Sequence, residues 1–105
     1  MKMHYDSQVH VTGEVNDVSF EGFCLPLPPS KLIFIKTKGG FLGCGFFDMA
    51  TFEKLKIPAV KITGVSTLEE LLAGKIVQVT NSAEKLGLAP GMTGETALIR
   101  ICFPE

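Results

Sequence analysis

Residues Lys31–Phe47 read KLIFIKTKGGFLGCGFF, and the fold depends on how this stretch is divided. Two runs rich in β-branched and aromatic residues, 31–37 and 41–47, flank Lys38-Gly39-Gly40. Glycine adopts positive φ without strain, so the pattern predicts a hairpin with the glycines in its turn. Both runs are apolar almost throughout, which predicts central strands with each face at least partly covered. Strict alternation along the second run puts Leu42, Cys44 and Phe46 on one face, and Phe41, Gly43, Gly45 and Phe47 on the other. Bare backbone at Gly43 and Gly45 would admit a close neighbour: a packed helix, a ligand or another subunit.

Upstream, Val9, Val11, Val15, Val18 and Phe20 alternate loosely with polar residues and predict two strand pieces broken near Asn16-Asp17. LPLPPS (25–30) predicts a loop, because proline lacks an N–H donor and restricts the residue before it. Downstream the period changes. Met49, Phe52 and Leu55 recur at helical spacing up to Pro58, and Asp48 stands where an N-cap belongs. AVKITGV (59–65) predicts a short strand, and Ser66-Thr67-Leu68-Glu69 a capping box before a helix carrying Leu68, Leu71 and Leu72. KIVQVT (75–80) predicts a further strand, and Asn81-Ser82-Ala83-Glu84 a second capping box before a helix closed by Gly87. The last segment has strand propensity in TALIRICF, but Thr93 and Glu95 make a cap-like start that favours helix.

Strands thus come first as a block, and helices then alternate with strands. This order predicts an α+β fold, a two-layer sandwich with short helices on one face of a mixed, mostly antiparallel sheet. Helical links between strands predict some parallel pairing. The length of 105 residues fits one domain over 1–105, with residues 1–7 expected to be flexible.

Composition narrows the function classes. At 46% hydrophobic, with eight Phe and no Trp, the chain can form a core without disulfides or a structural metal. Net charge is −1 and the lysines are scattered, which argues against nucleic-acid or anionic-lipid partners. Three widely spaced cysteines without a CxxC pair argue against a disulfide framework or a zinc site, and point to reduced thiols in the cytoplasm. MKMHYDSQVH has no apolar signal core, and no segment nears the roughly 18–20 apolar residues of a membrane helix.

Cys44 is the main chemical candidate. It reads either as a nucleophile or ligand-contacting thiol beside a groove, or as a small buried hydrophobe, the commoner role of free cysteine. Asp48 reads as a general base beside it or, more simply, as the N-cap. His4 and His10 lack HxH or HExxH spacing, so no metal is expected. GGFLGCG lacks the Lys-Ser/Thr of a phosphate loop, and no cofactor is implied. The helix starts at Ser66 and Thr93, with Gly64 and Gly94 beside them, could line a polar pocket if the fold gathers them.

GGFLGCGFFD (39–48), GVSTLEELLAGKIVQVT (64–80) and AEKLGLAPGMTGETAL (83–98) together resemble the YunC-like proteins, small bacterial and archaeal proteins of unassigned function. The likeness runs from Lys31 to Leu98. It rests on three ordered motifs: Gly40/Phe41/Cys44/Gly45/Asp48, Gly64 to Leu72, and Gly87 to Gly94. It implies a compact two-layer α/β domain and no particular activity. The clustering of these motifs adds to the expectation of a shared site joining Cys44, Asp48 and the Thr93 loop.

Two functional expectations follow. One is a small-molecule-binding or thiol-dependent enzymatic domain, with Cys44 and Asp48 as the reactive pair and Gly43, Gly45, Gly64, Ser66, Thr93 and Gly94 lining its pocket. The other is a non-catalytic interaction module that forms a homo-oligomer.

Overall fold

The computed structural model describes residues 2–5, 7, 9–27 and 30–103. Seven strands form one sheet in sequence order: β1 (Lys2–Tyr5), β2 (His10–Val15), β3 (Val18–Leu27), β4 (Ser30–Lys36), β5 (Phe41–Gly43), β6 (Ala59–Lys61) and β7 (Gln78–Val79). Four helices accompany them: α1 (Met49–Lys54), α2 (Leu68–Ala73), α3 (Asn81–Glu84) and α4 (Gly94–Cys102). The α+β arrangement read from the sequence is present. Neighbouring strands are antiparallel except β5 and β6, which run parallel through the α1 crossover. The second helical link, α2, leads to the antiparallel β6–β7 pair.

The break at Asn16-Asp17 is a two-residue hairpin turn. Both residues have positive φ (49° and 67°), the backbone twist that joins Val15 to its partner Val18. Residues 2–5 form β1, while residues 1 and 6 of the segment expected to be flexible lie outside the described set. The β1 residues pair with 11–14, and the Tyr5 hydroxyl reaches the Glu69 carboxylate on α2 at 3.3 Å. Partial burial and that carboxylate push the Tyr5 pKa up.

LPLPPS is mostly strand: Leu25, Pro26 and Leu27 pair with Leu32, Lys31 and Ser30, while residues 28–29 lie outside the described set. The Cys24 N–H points to Val9 of the β2 side at 2.8 Å. Pro26, two residues on, therefore turns its donorless nitrogen to that same side, where β2 pairing has ended. The proline costs no bond to β4.

The glycine turn between β4 and β5 forms, with the Thr37 N–H bonded to the Gly40 carbonyl at 3.0 Å. Its glycines are required by close approach, not by positive φ. A Cβ at Gly39 would stand 2.9 Å from the Ile101 carbonyl, and one at Gly40 would run into the Pro58 carbonyl.

Three predicted strands are shorter than expected, and in 59–65 only Ala59–Lys61 joins the sheet. The second run of the hairpin stops at Gly43, where a turn bonds the Phe47 N–H to the Cys44 carbonyl. In 75–80 only Gln78–Val79 joins the sheet. Ile76 bonds the 91–92 loop and Lys75 bridges to Thr93 before the chain turns to β6.

Both N-caps stand one residue from the expected position. Thr67, not Ser66, accepts from the Glu70 N–H, while the Glu70 carboxylate takes the Ser66 N–H at 2.7 Å. Thr80, not Asn81, caps α3, and its buried hydroxyl also accepts from the Ala59 N–H and donates to the Ile57 carbonyl. For α2 the apolar phase decides: Leu68, Leu71 and Leu72 are all buried, so the first turn begins at Leu68. Thr93 caps α4 as expected, resolving the last segment as helix.

One face of the sheet carries Val11, Ile33, Ile35, Leu42 and Val60, which form the main core with the leucines of α2 and with Ala97, Leu98 and Ile101 of α4. Contrary to the expectation of helices on one face only, α1 lies on the opposite face. Its Phe52 packs on Phe41 and Phe47, whose side is away from Leu42, and Met49 and Ala59 are buried outside the main core cluster. The remainder of that second face has no helix described on it.

Candidate functional site

Cys44 sits where β5 gives way to a turn. The Ile33–Cys44 pairing starts as a ladder, with the Cys44 N–H donating to the Ile33 carbonyl at 3.1 Å. The turn then withdraws the carbonyl that would have answered Ile33, and the Cys44 Sγ accepts the Ile33 N–H instead, at 3.4 Å. The residue is 4% exposed. Its thiol thus satisfies a buried backbone donor that would otherwise be costly to leave bare.

A cleft of about 440 Å³ opens beside it, lined by Ser30, Lys31, Cys44, Gly45, Phe46, Gly64, Val65 and Ser66. Its volume lies in the range of small-ligand sites. Three chain segments meet there: the start of β4, the turn after β5, and the loop from β6 to α2. A Cβ at Gly45 would touch only Thr63 Cγ2, at 3.7 Å, and one at Gly64 would meet nothing within 4 Å. Gly64 owes its identity to φ +76°, which bends the loop toward Cys44. Phe46, expected to lie beside Cys44, is 54% exposed at the rim.

Four of the eight expected site residues, Cys44, Gly45, Gly64 and Ser66, therefore line one cleft. The other four have separate roles. The space over Gly43 is filled by the ring of Phe47, with which any Cβ there would collide. Asp48 caps α1, accepting from the Ala50 N–H at 3.1 Å and the Thr51 hydroxyl at 2.7 Å. The Thr51 hydroxyl bond holds its carboxyl below the ordinary aspartate range. Thr93 caps α4, and Gly94 is a packing glycine set against the Leu71 carbonyl, with Ile62 Cδ1 3.0 Å from where a Cβ would stand.

The lining also includes Lys31 and Ser30, which sequence reasoning missed. Nothing marks them locally, since only the β4–β5 register brings them alongside Cys44. Among the described residues Lys31 is the one cation of the lining, and no histidine or carboxylate belongs to it. Among the described residues no group of three or more His, Cys, Asp or Glu could hold a metal, and no helix is long and apolar enough to cross a membrane.

This sheet, with its turn-borne cleft, is of a known kind. The model of the family DUF1805, a domain of unknown function, matches residues 43–101, and the chain belongs to that family. The matched span begins at the Cys44 turn and contains every cleft residue except Ser30 and Lys31. Among its relatives is the uncharacterized protein YunC of Bacillus subtilis (strain 168), 35% identical over 86 residues, or 78% of this chain and 85% of YunC. A crystal structure of a protein of unknown function, TA1206 from Thermoplasma acidophilum, superposes with a TM-score of 0.84 at 28% identity, covering 93% of this chain and 99% of that one. The resemblance to YunC-like proteins seen in the sequence is thereby established, and these relatives are themselves described as uncharacterised or of unknown function.

Proposed function

We propose that the protein binds a small polar molecule bearing an anionic group, held in the cleft beside Cys44. The observation that carries this reading is the convergence of three separate segments on one open volume, with bare backbone at Gly45 and Gly64, hydroxyls at Ser30 and Ser66, and a single positive charge at Lys31. A concave site with a few convergent polar groups is the usual form of a small-molecule site. Cys44 is the contacting thiol at its base. Thiol-dependent catalysis is the lesser reading, because an activated cysteine needs a base within hydrogen-bond reach and the lining supplies no histidine or carboxylate. The three free cysteines, Cys24, Cys44 and Cys102, favour a cytoplasmic setting.

Native alkylation followed by mass spectrometry tests the cleft and its charge together. Iodoacetate and iodoacetamide differ mainly in the negative charge. The ratio of their rates should be higher at Cys44 than at Cys24, and Lys31→Gln should lower it at Cys44 alone. A Cys44 that reacts with neither reagent until the chain is denatured would sink the proposal.

A further inference from the structure

The sheet face opposite the main core has a pattern that no solvated face requires. Strand register lines His10, Phe23, Phe34 and Gly43 across β2 to β5, and Phe47 lays its ring where Gly43 has none. The rings run in unbroken contact: His10–Phe23 at 5.1 Å, Phe23–Phe34 stacked at 4.8 Å, Phe34–Phe47 at 5.8 Å, and Phe47–Phe52 at 5.1 Å. Each of these residues keeps part of its surface exposed. Leu25 and Leu32 form the next cross-strand pair on one side of this row, and Glu21 and Lys36 the next on the other.

Two further features of this face are unequally placed. A hollow of about 800 Å³ lies along its β1–β3 half, lined by the outward residues His4, Thr12, Glu14, Glu21 and Lys36 together with inward ones such as Met3 and Phe20. The helix α1 stands over β5 and β6, with Phe52 on Phe41. Glu14 and Glu21 line the hollow, with Lys36 at its β4 edge, and Lys61 stands beyond it on β6.

We infer that two copies of the chain pack through this face, about a twofold axis parallel to the strands and between β3 and β4. Such an axis sets β3 over the partner's β4, β2 over β5 and β1 over β6. Phe23 then meets the partner's Phe34, Leu25 meets the partner's Leu32, and Glu21 faces the partner's Lys36, twice by symmetry. The raised α1 comes opposite the partner's hollow. An axis across the strands would instead put β3 over β3 and Glu21 over the leucine row, where, among the described residues, its only ionic contacts are those within its own chain, to His10 and the neighbouring Lys36. Charge and relief therefore both select the first axis. Identical sheets packed face to face at about 10 Å, with strands roughly 30° apart, are a standard arrangement, and an isologous contact of this kind closes at two copies. The cleft beside Cys44 lies off this face and is independent of the pairing.

Sedimentation equilibrium across a concentration series reads the outcome. The native chain should have twice the 11.4 kDa of one copy. Phe34→Glu should be monomeric with an unchanged far-UV spectrum. E21K and K36E should each weaken association by about tenfold or more, because each sets like charges across the axis. An equimolar mixture of E21K and K36E should recover the dimer, since each chain then offers the sign the other lacks. Within each variant chain the two neighbouring charges remain alike, so an intrachain effect cannot give that rescue. A native monomer, or a mixture no tighter than its parents, overturns the inference.

Discussion

The cleft beside Cys44 and the aromatic face meet at β5 but are built by opposite means. The cleft is made of chain ends and turns: the turn after Gly43, the Gly64 loop and the start of β4. Its parts are short motifs, and most are legible as consecutive letters. The aromatic face is made of strand register, in which His10, Phe23 and Phe34 become neighbours although each belongs to a different strand. Gly43 and Cys44 adjoin in the chain yet serve different regions. Gly43 admits Phe47 to the aromatic row, and Cys44 closes the floor of the cleft. Adjacency in sequence was therefore a poor guide to shared function, because successive strand residues face opposite sides of the sheet.

Substitutions at that junction separate the two regions. Gly43→Val should have the largest effect, since the new side chain and the Phe47 ring cannot share one volume. Forced repacking of this kind costs about 1–3 kcal/mol, with larger values where backbone must move. Urea denaturation should show the loss, and an unchanged midpoint would mean that Phe47 does not depend on Gly43. Cys44→Ala comes next. It leaves the Ile33 N–H without its sulfur acceptor, at a cost of about 1–3 kcal/mol. Cys44→Ser should lose less, because the hydroxyl oxygen can accept the same bond. Amide exchange at Ile33 reports directly, and should be faster in the alanine variant than in the serine one.

Asp48→Ala should be the mildest, because it removes only a solvent-exposed N-cap. It should leave the iodoacetate preference of Cys44 unchanged. A fall in that preference would return Asp48 to the site. The same carboxylate sets a small pH dependence. Its folded pKa is depressed, chiefly by the Thr51 hydroxyl, so its contribution is complete above the unfolded aspartate pKa and fades as pH falls through the lower folded value. Because the group is exposed, NMR titration is a better readout than stability. Thr51→Val should move the midpoint back up toward that of an ordinary aspartate.

Hydrophobic period, glycine pairs and caps were enough to reveal the break between β2 and β3, the β4–β5 hairpin, α1, α2 and α4, and the α+β class. These depend on interactions within a few residues: Asn16-Asp17 accept positive φ, Asp48 bonds Ala50, and Thr93 bonds Thr96. Readings that failed did so where a distant partner competed for the backbone. Lys75 and Ile76 went to the Thr93 loop, and Pro26 stayed in strand because β2 had ended beside it. Two of the expected site residues have their space filled by tertiary contacts. Gly43 and Gly94 proved to be glycines because Phe47 and the Leu71 carbonyl come close to them, contacts that no local pattern announces.

By itself the sequence determined the order of elements from β2 onward, the glycines on either side of the thiol, and kinship with the YunC-like proteins, since each is written in residues a few positions apart. Tertiary structure alone decided which glycines are bare and which are covered. It also decided that Lys31 stands beside Cys44 and that five phenylalanines join into one surface. Those outcomes depend on strand register and on where strands end, which are settled by the balance of backbone bonds and buried area over the whole sheet.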